Sequence, residues 1–151
     1  MSERIYRDPV HNIIRVRGDE PDGRLIIRLI DTPEFQRLRR VRQLGLAHFA
    51  YQGAEHSRFT HSLGAYHLAS LIIWRLGEKY PIEPADRTAV LAATLLHDVG
   101  HPPMSHAAES LLPTRGDLLG PHVEAPDEVA SHEDMTFVIL TSGELSDTLG
   151  E

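Results

Sequence analysis

Apolar residues recur at helical spacing in four stretches of the chain, and most of the breaks between them fall on Pro and Gly. Phe35, Leu38, Val41 and Leu44 form one stripe. Asp31 or Thr32 can cap it, Pro33 and Glu34 suit its first turn, and Gly45 closes it. A second, denser stripe holds Leu63, Leu68, Leu71, Ile72, Ile73 and Leu76; it starts near Thr60-His61 and runs to about Lys79, ahead of Pro81 and Pro84. A third helix opens near Asp86 and runs through Ala89, Val90, Ala92, Ala93, Leu95 and Leu96. It is apolar nearly all round, which predicts a central, buried helix ending at His97-Asp98-Val99-Gly100. The fourth carries Met135, Phe137, Val138, Ile139 and Leu140; Ser131 caps it and Asp134 stands three residues on, close to a capping box.

Ahead of these helices the period changes. Arg4-Ile5-Tyr6 and Ile13-Ile14-Arg15-Val16 flank the turn-rich run Asp8-Pro9-Val10-His11-Asn12, which predicts a small β-hairpin over about residues 3–17. Residues 18–23 read as a polar loop, and Leu25 to Ile30 is too short for pattern to separate helix from strand. Pro113, Gly116, Gly120, Pro121 and Pro126 mark residues 113–130 as a long, mobile loop. The expectation is one all-α domain over residues 1–151, with the hairpin in front of a helical core at about 31–140.

Composition narrows the chemistry. With 151 residues, 41% hydrophobic and 25% charged, the chain can bury an ordinary core. It has no cysteine, so disulfides, thiolate metal sites and cysteine nucleophiles are excluded, whereas ten histidines are available. Residues 1–58 hold 11 Arg against 8 Asp and Glu, while residues 59–151 hold 4 Lys and Arg against 14 Asp and Glu. A net charge of −7 speaks against nucleic acid as the main substrate, although the basic first third can meet a compact polyanion. The start lacks an apolar signal region, and Leu68 to Trp74 is too short to span a bilayer, so a cytoplasmic protein with no membrane partner is expected.

The strongest chemical feature is His97-Asp98 at the end of the most apolar helix. A buried ionised Asp is costly unless it is paired or bound to a cation, and an adjacent His offers a neutral nitrogen to the same ion. An isolated His-Asp pair is more often a cap. Here His101 and His106 follow at once, His61 stands at one helix start with Arg58 a turn before it, and His132-Glu133 stands at another. Three helix ends presenting histidines point to a metal and phosphate site.

These residues resemble the HD superfamily, and within it the deoxynucleoside triphosphate triphosphohydrolases. The matching stretches are Asp8-Pro9-Val10-His11, Ile30-Asp31-Thr32-Pro33-Glu34-Phe35-Gln36-Arg37-Leu38-Arg39-Arg40, Gln43-Leu44-Gly45, Arg58-Phe59-Thr60-His61-Ser62-Leu63-Gly64, Leu95-Leu96-His97-Asp98-Val99-Gly100-His101, Ser105-His106 and His132-Glu133. The resemblance implies an HD-domain helical bundle. It implies a divalent metal (Mg, Mn, Fe, Ni or Zn) on His61, His97 and Asp98, with Arg58 on a substrate phosphate and Gln43 and Leu44 against the sugar. His101, His106 and His132 would line the phosphate channel, with His132 and Glu133 handling protons. The implied reaction is water attack on the α-phosphorus of a nucleotide substrate, releasing nucleoside and triphosphate from a homo-oligomer.

Asn12, Thr60 and Pro102 depart from the family's usual residues. The superfamily's fourth metal ligand, an Asp far downstream, has no match; Asp117, Asp127, Asp134 and Asp147 are the later aspartates, and none is assignable. The domain is therefore expected to be C-terminally incomplete. Two other readings stay open on the same residues: a catalytically incomplete nucleotide-binding or regulatory module, and an HD phosphohydrolase of another phosphate ester.

Overall fold

The fold is taken from a computed structural model that describes residues 3–150; the expected domain bounds at residues 1, 2 and 151 lie outside the described residues. Strands β1 (Arg4–Asp8) and β2 (Asn12–Val16) pair antiparallel from Arg4↔Val16 to Asp8↔Asn12, which is the expected hairpin. Asp8 Oδ1 accepts the amides of Val10 (2.8 Å) and His11 (2.7 Å), closing the turn. Asn12 has φ 63°, a left-handed conformation that Gly adopts freely and Asn tolerates, so Asn costs little there.

Helices follow: α1 (Pro21–Asp31), α2 (Pro33–Gln36), α3 (Arg58–Gly77), α4 (Pro84–Leu96), α5 (Arg115–Leu119), α6 (His132–Thr141) and α7 (Gly143–Gly150). The supposed polar loop at 18–23 is in part the first turn of α1. Pro21 sits where its missing N–H is no loss, and Gly23 is needed because a Cβ there would lie 1.8 Å from the Arg17 carbonyl oxygen. The ambiguous segment at 25–30 is helical, burying Ile26, Ile27, Leu29 and Ile30.

The stripe at 35–44 does not make one helix. Thr32 caps α2 through the Phe35 amide, but 3₁₀ turns replace the helix at Arg37–Arg40, and Val41 is extended. The cause is tertiary. Arg42 bridges to Ser57, with the Arg58 amide on the Val41 carbonyl at 2.8 Å and the Gln43 amide on the His56 carbonyl at 3.1 Å. This pairing sets Gln43 beside Arg58 and leaves Leu44 partly exposed.

The core joins Ile14 and Val16 of β2, Ile26 and Ile30 of α1, Phe35 of α2, Leu38 of the 3₁₀ turn that follows, Phe59 and Leu63 of α3, and Leu91, Leu95 and Leu96 of α4. Only one face of α4 is buried; Val90 and the alanines at 89 and 93 are exposed, so the helix is not wrapped all round as its composition suggested. The outer face of α3 is likewise uncovered, with Leu68, Leu71, Ile72 and Leu76 each about half exposed. Residues 113–130 carry structure of their own: α5, and a bridge Thr114↔Val129 that ties the ends together. The capping box of α6 forms as expected, with Ser131 on the Asp134 amide and Asp134 on the Ser131 amide. Helix α7, which no pattern announced, buries Leu145 against the core. No helix among the described residues is long and apolar enough to cross a membrane.

Candidate metal centre

His61, one turn into α3, meets His97, the C-cap of α4, so the two helices run in opposite directions and bring their histidines together. The two Nε2 atoms are 3.2 Å apart. Asp98 Oδ1 lies 3.3 Å from His97 Nε2, and Oδ2 lies 3.7 Å from His61 Nε2. All three ligand atoms fall within 4.8 Å of one another. His97 Nδ1 donates to the Thr94 carbonyl at 2.9 Å, which places the ring's proton on Nδ1 and leaves Nε2 as a lone pair. Two imidazole nitrogens and a buried carboxylate converging on one point make a donor set that fits a divalent cation. The imidazoles are about 40% exposed while Asp98 is buried, so the site opens to solvent on its histidine side. Among the described residues no further Asp joins this group; Asp117 is held by Thr114 and Asp134 by Ser131 and Arg115.

Asp98 is the hub. Arg58 Nη1 donates to its Oδ2 at 2.6 Å, and His101 Nε2 lies 3.5 Å from its Oδ1. Burial pushes the carboxyl up, but the His101 hydrogen bond, the neighbouring His97 imidazole and the Arg58 guanidinium together hold it well below the usual carboxylate range. It is therefore an anion in the folded protein. Burial pushes the His61 and His101 imidazoles below their ordinary value, which keeps both neutral near pH 7.

Arg58 does not face solvent. Its side chain is 2% exposed and is committed to Asp98, to the Ser105 hydroxyl and to the Gln43 carbonyl. In this arrangement the guanidinium holds the Asp98 carboxylate in place. Gln43 lies alongside with its Oε1 buried and unpartnered, and Leu44 is on the surface.

On the other side of Asp98, His101, His106 and His132 do come together. His101 stacks on His132 with centroids 3.8 Å apart, and His106 stands edge-on to both. Their common partner is Glu109, which sequence reasoning missed: its Oε1 receives His132 Nδ1 at 2.7 Å and His106 Nδ1 at 3.0 Å. The available signal was its spacing of three from His106, one 3₁₀ turn. Glu133 is exposed, with Oε1 3.2 Å from His132 Nε2; the Ser131 side chain lowers its carboxyl. Arg37 was missed too. It donates to the carbonyls of Val99 and of His101 (2.8 Å), fastening the 97–101 turn. A cavity of about 690 Å³ lined by Arg15, Tyr66, Trp74 and Arg87 lies at the opposite ends of α3 and α4 and holds none of these histidines.

With a His-Asp pair closing a core helix, a second His from the antiparallel neighbour and a histidine cluster beyond, fold and site define an HD domain. The HD domain model matches residues 58–142, and the chain belongs to that family. It is 43% identical over 125 residues to the uncharacterized protein YwfO of Bacillus subtilis, an alignment covering 78% of this chain and 28% of that protein. It is 37% identical over 151 residues to the deoxynucleoside triphosphate triphosphohydrolase SAMHD1 of Gallus gallus, covering 97% of this chain and 23% of the relative. The human SAMHD1 is 43% identical over 106 residues, 68% of this chain and 16% of that one. A crystal structure of a phosphohydrolase from Bacteroides thetaiotaomicron superposes with TM-score 0.72 at 33% identity, over 97% of this chain and 34% of that chain. The chain thus spans between about a sixth and a little over a quarter of the length of these curated relatives.

Proposed function

We propose that this domain forms the catalytic half-site of a metal-dependent hydrolase of deoxynucleoside triphosphates, releasing nucleoside and intact triphosphate. The observation that carries the reading is the position of Asp98: one carboxylate separates a cation-binding pair, His61 and His97, from a cluster of proton-carrying imidazoles, His101, His106 and His132. Phosphate-ester hydrolysis needs those two functions side by side.

His61, His97 and Asp98 would hold the ion, which supplies Lewis acidity toward a phosphate oxygen and toward water. Arg58 keeps Asp98 ionised and aimed. His106 and His132 are exposed enough to meet a triphosphate and are oriented by Glu109, so they can stabilise its charge and carry protons, with Glu133 beside His132 as the exit toward solvent. Gln43 Oε1 is a buried acceptor without a donor, which suits a sugar hydroxyl, and Leu44 would pack on the sugar face. The relatives named as deoxynucleoside triphosphate triphosphohydrolases support this substrate class over other phosphate esters. A homo-oligomer with nucleotide between subunits is the associated assembly.

The test is incubation with each deoxynucleoside triphosphate and Mn²⁺ or Mg²⁺, with products resolved by chromatography and an Asp98→Ala control. Triphosphate and deoxynucleoside in equal amounts, lost on chelation and in the control, are expected. Release of orthophosphate or pyrophosphate would move the protein to another ester class. Nucleotide binding without any product would make it a binding module.

A further inference from the structure

Glu109 Oε1 faces three imidazole nitrogens, and all three are Nδ1: His132 at 2.7 Å, His106 at 3.0 Å and His101 at 3.9 Å. A carboxylate oxygen has two lone pairs, so at most two ring N–H groups can donate to it. His132 and His106 take those places. His101 is left over. Its Nε2 is assigned the proton, because that atom faces the Asp98 carboxylate at 3.5 Å. Its Nδ1 is then a bare lone pair, buried, without a hydrogen-bond partner, and aimed at an anionic oxygen. A lone pair set 3.9 Å from a carboxylate oxygen is an unfavourable pairing, and no hydrogen bond among the described residues relieves it.

We infer that His101, His106, Glu109 and His132 form a second divalent-cation site, separate from the His61, His97 and Asp98 centre. A cation at the meeting point turns the conflict into four bonds, three from imidazole nitrogens and one from a carboxylate oxygen. That donor set suits Zn²⁺, Co²⁺ or Ni²⁺ far better than Mg²⁺. The four ligand atoms already lie within 4.8 Å of one another. Bonds of about 2.0–2.1 Å in a tetrahedron place ligand atoms roughly 3.4 Å apart. The widest pair therefore has to close by at most about 1.4 Å, while Glu109 and His132, now 2.7 Å apart, have to part by about 0.7 Å. The two sites share no ligand, but they touch through His101: Asp98 holds one edge of its ring and the second ion takes the other.

The binding stands whether or not the domain hydrolyses nucleotides. One consequence does rest on that reaction: an ion here occupies the nitrogens assigned to proton handling, so Zn²⁺ in excess slows turnover instead of supporting it.

The experiment uses no nucleotide, so it separates this site from the proposed activity. Metal-stripped chain is dialysed against buffered free Zn²⁺, and bound zinc per chain is counted by elemental analysis. Co²⁺ is run in parallel for the visible absorption of tetrahedral cobalt. Two ions per chain are expected for the wild type. One is expected for His106→Ala combined with Glu109→Gln, and one for His97→Ala, with the tetrahedral cobalt band lost only in the former. A wild type holding a single ion overturns the inference. So does a double variant that still holds two. Should the double variant unfold by circular dichroism, His106→Ala alone decides: it must drop the cobalt band, and an unchanged band overturns the site.

Discussion

An alanine at position 100 would bring a methyl group 2.2 Å from the His132 carbonyl oxygen, 2.3 Å from the Thr136 amide nitrogen and 2.5 Å from the Thr136 hydroxyl. Contacts of this kind normally stand at about 3.3–3.6 Å, so the first turn of α6 must retreat by about 1 Å. Two of the three obstacles are backbone atoms and cannot rotate aside. Overpacking of this sort costs about 1–3 kcal/mol. The hydrogen bond from the Gly100 amide to the Thr136 hydroxyl, 3.0 Å long, goes with it and is worth about 1 kcal/mol. Stiffening the unfolded chain returns about 0.4–1 kcal/mol. The net expectation for Gly100→Ala is a loss of about 1–3 kcal/mol, read as a lower urea midpoint. The displaced helix also carries His132 away from Glu109. A misplacement of about 1 Å costs on the order of a hundredfold in rate, so turnover should fall far more than the fraction folded. An unchanged midpoint together with unchanged turnover would refute the close-packing argument.

Arg58→Met should cost about 3–5 kcal/mol, because it strands a buried carboxylate. Arg58→Met combined with Asp98→Leu should recover most of that while binding no metal at the first centre; urea midpoints check both, and a single variant within about 1 kcal/mol of wild type would contradict the ion-pair reading. In the metal-free chain, His61 and His101 have folded pKa values below their unfolded ones, so the unfolded chain takes up protons first and stability falls as pH drops below about 6.5. Asp98 is shifted in the same direction and acts with the same sign, but at lower pH: its contribution is whole above about pH 4 and is lost in stronger acid. Urea midpoints measured from pH 8 to pH 3 should therefore fall in two stages, and a flat profile between pH 7.5 and pH 5 would remove the histidine term.

What the chain reveals before folding follows from how local each signal is. The Ser131–Asp134 box, the Thr32 cap and the Pro9 turn are decided within four residues, and all form as expected. His97-Asp98 was legible because a charged pair at the end of an apolar helix has few uses. The failures are tertiary. The stripe through Leu44 breaks because Arg42 pairs with Ser57, a partner fifteen residues away. Glu109 looks like any surface acid until histidines from two different elements arrive around it. Arg37 looks solvated until the turn at 99–101 offers it two open carbonyls. The dense leucines of α3 suggested more burial than one packed face provides, since helix composition does not say how many sides find a neighbour.

The bonds that hold Asp98 and its turn also set the order of events in folding. Arg58 reaches across 40 residues to Asp98, and Arg37 across 62 and 64 to Val99 and His101. Such pairs close late, after the loop entropy between them has been overcome. During synthesis Arg58 therefore has no carboxylate to meet until residue 98 has emerged, and the histidines around Glu109 are not all present until residue 132 has. An ion that meets the growing chain finds scattered side chains and exchanges freely. A metal held by these side chains would therefore be chosen by the folded domain and not by the growing chain.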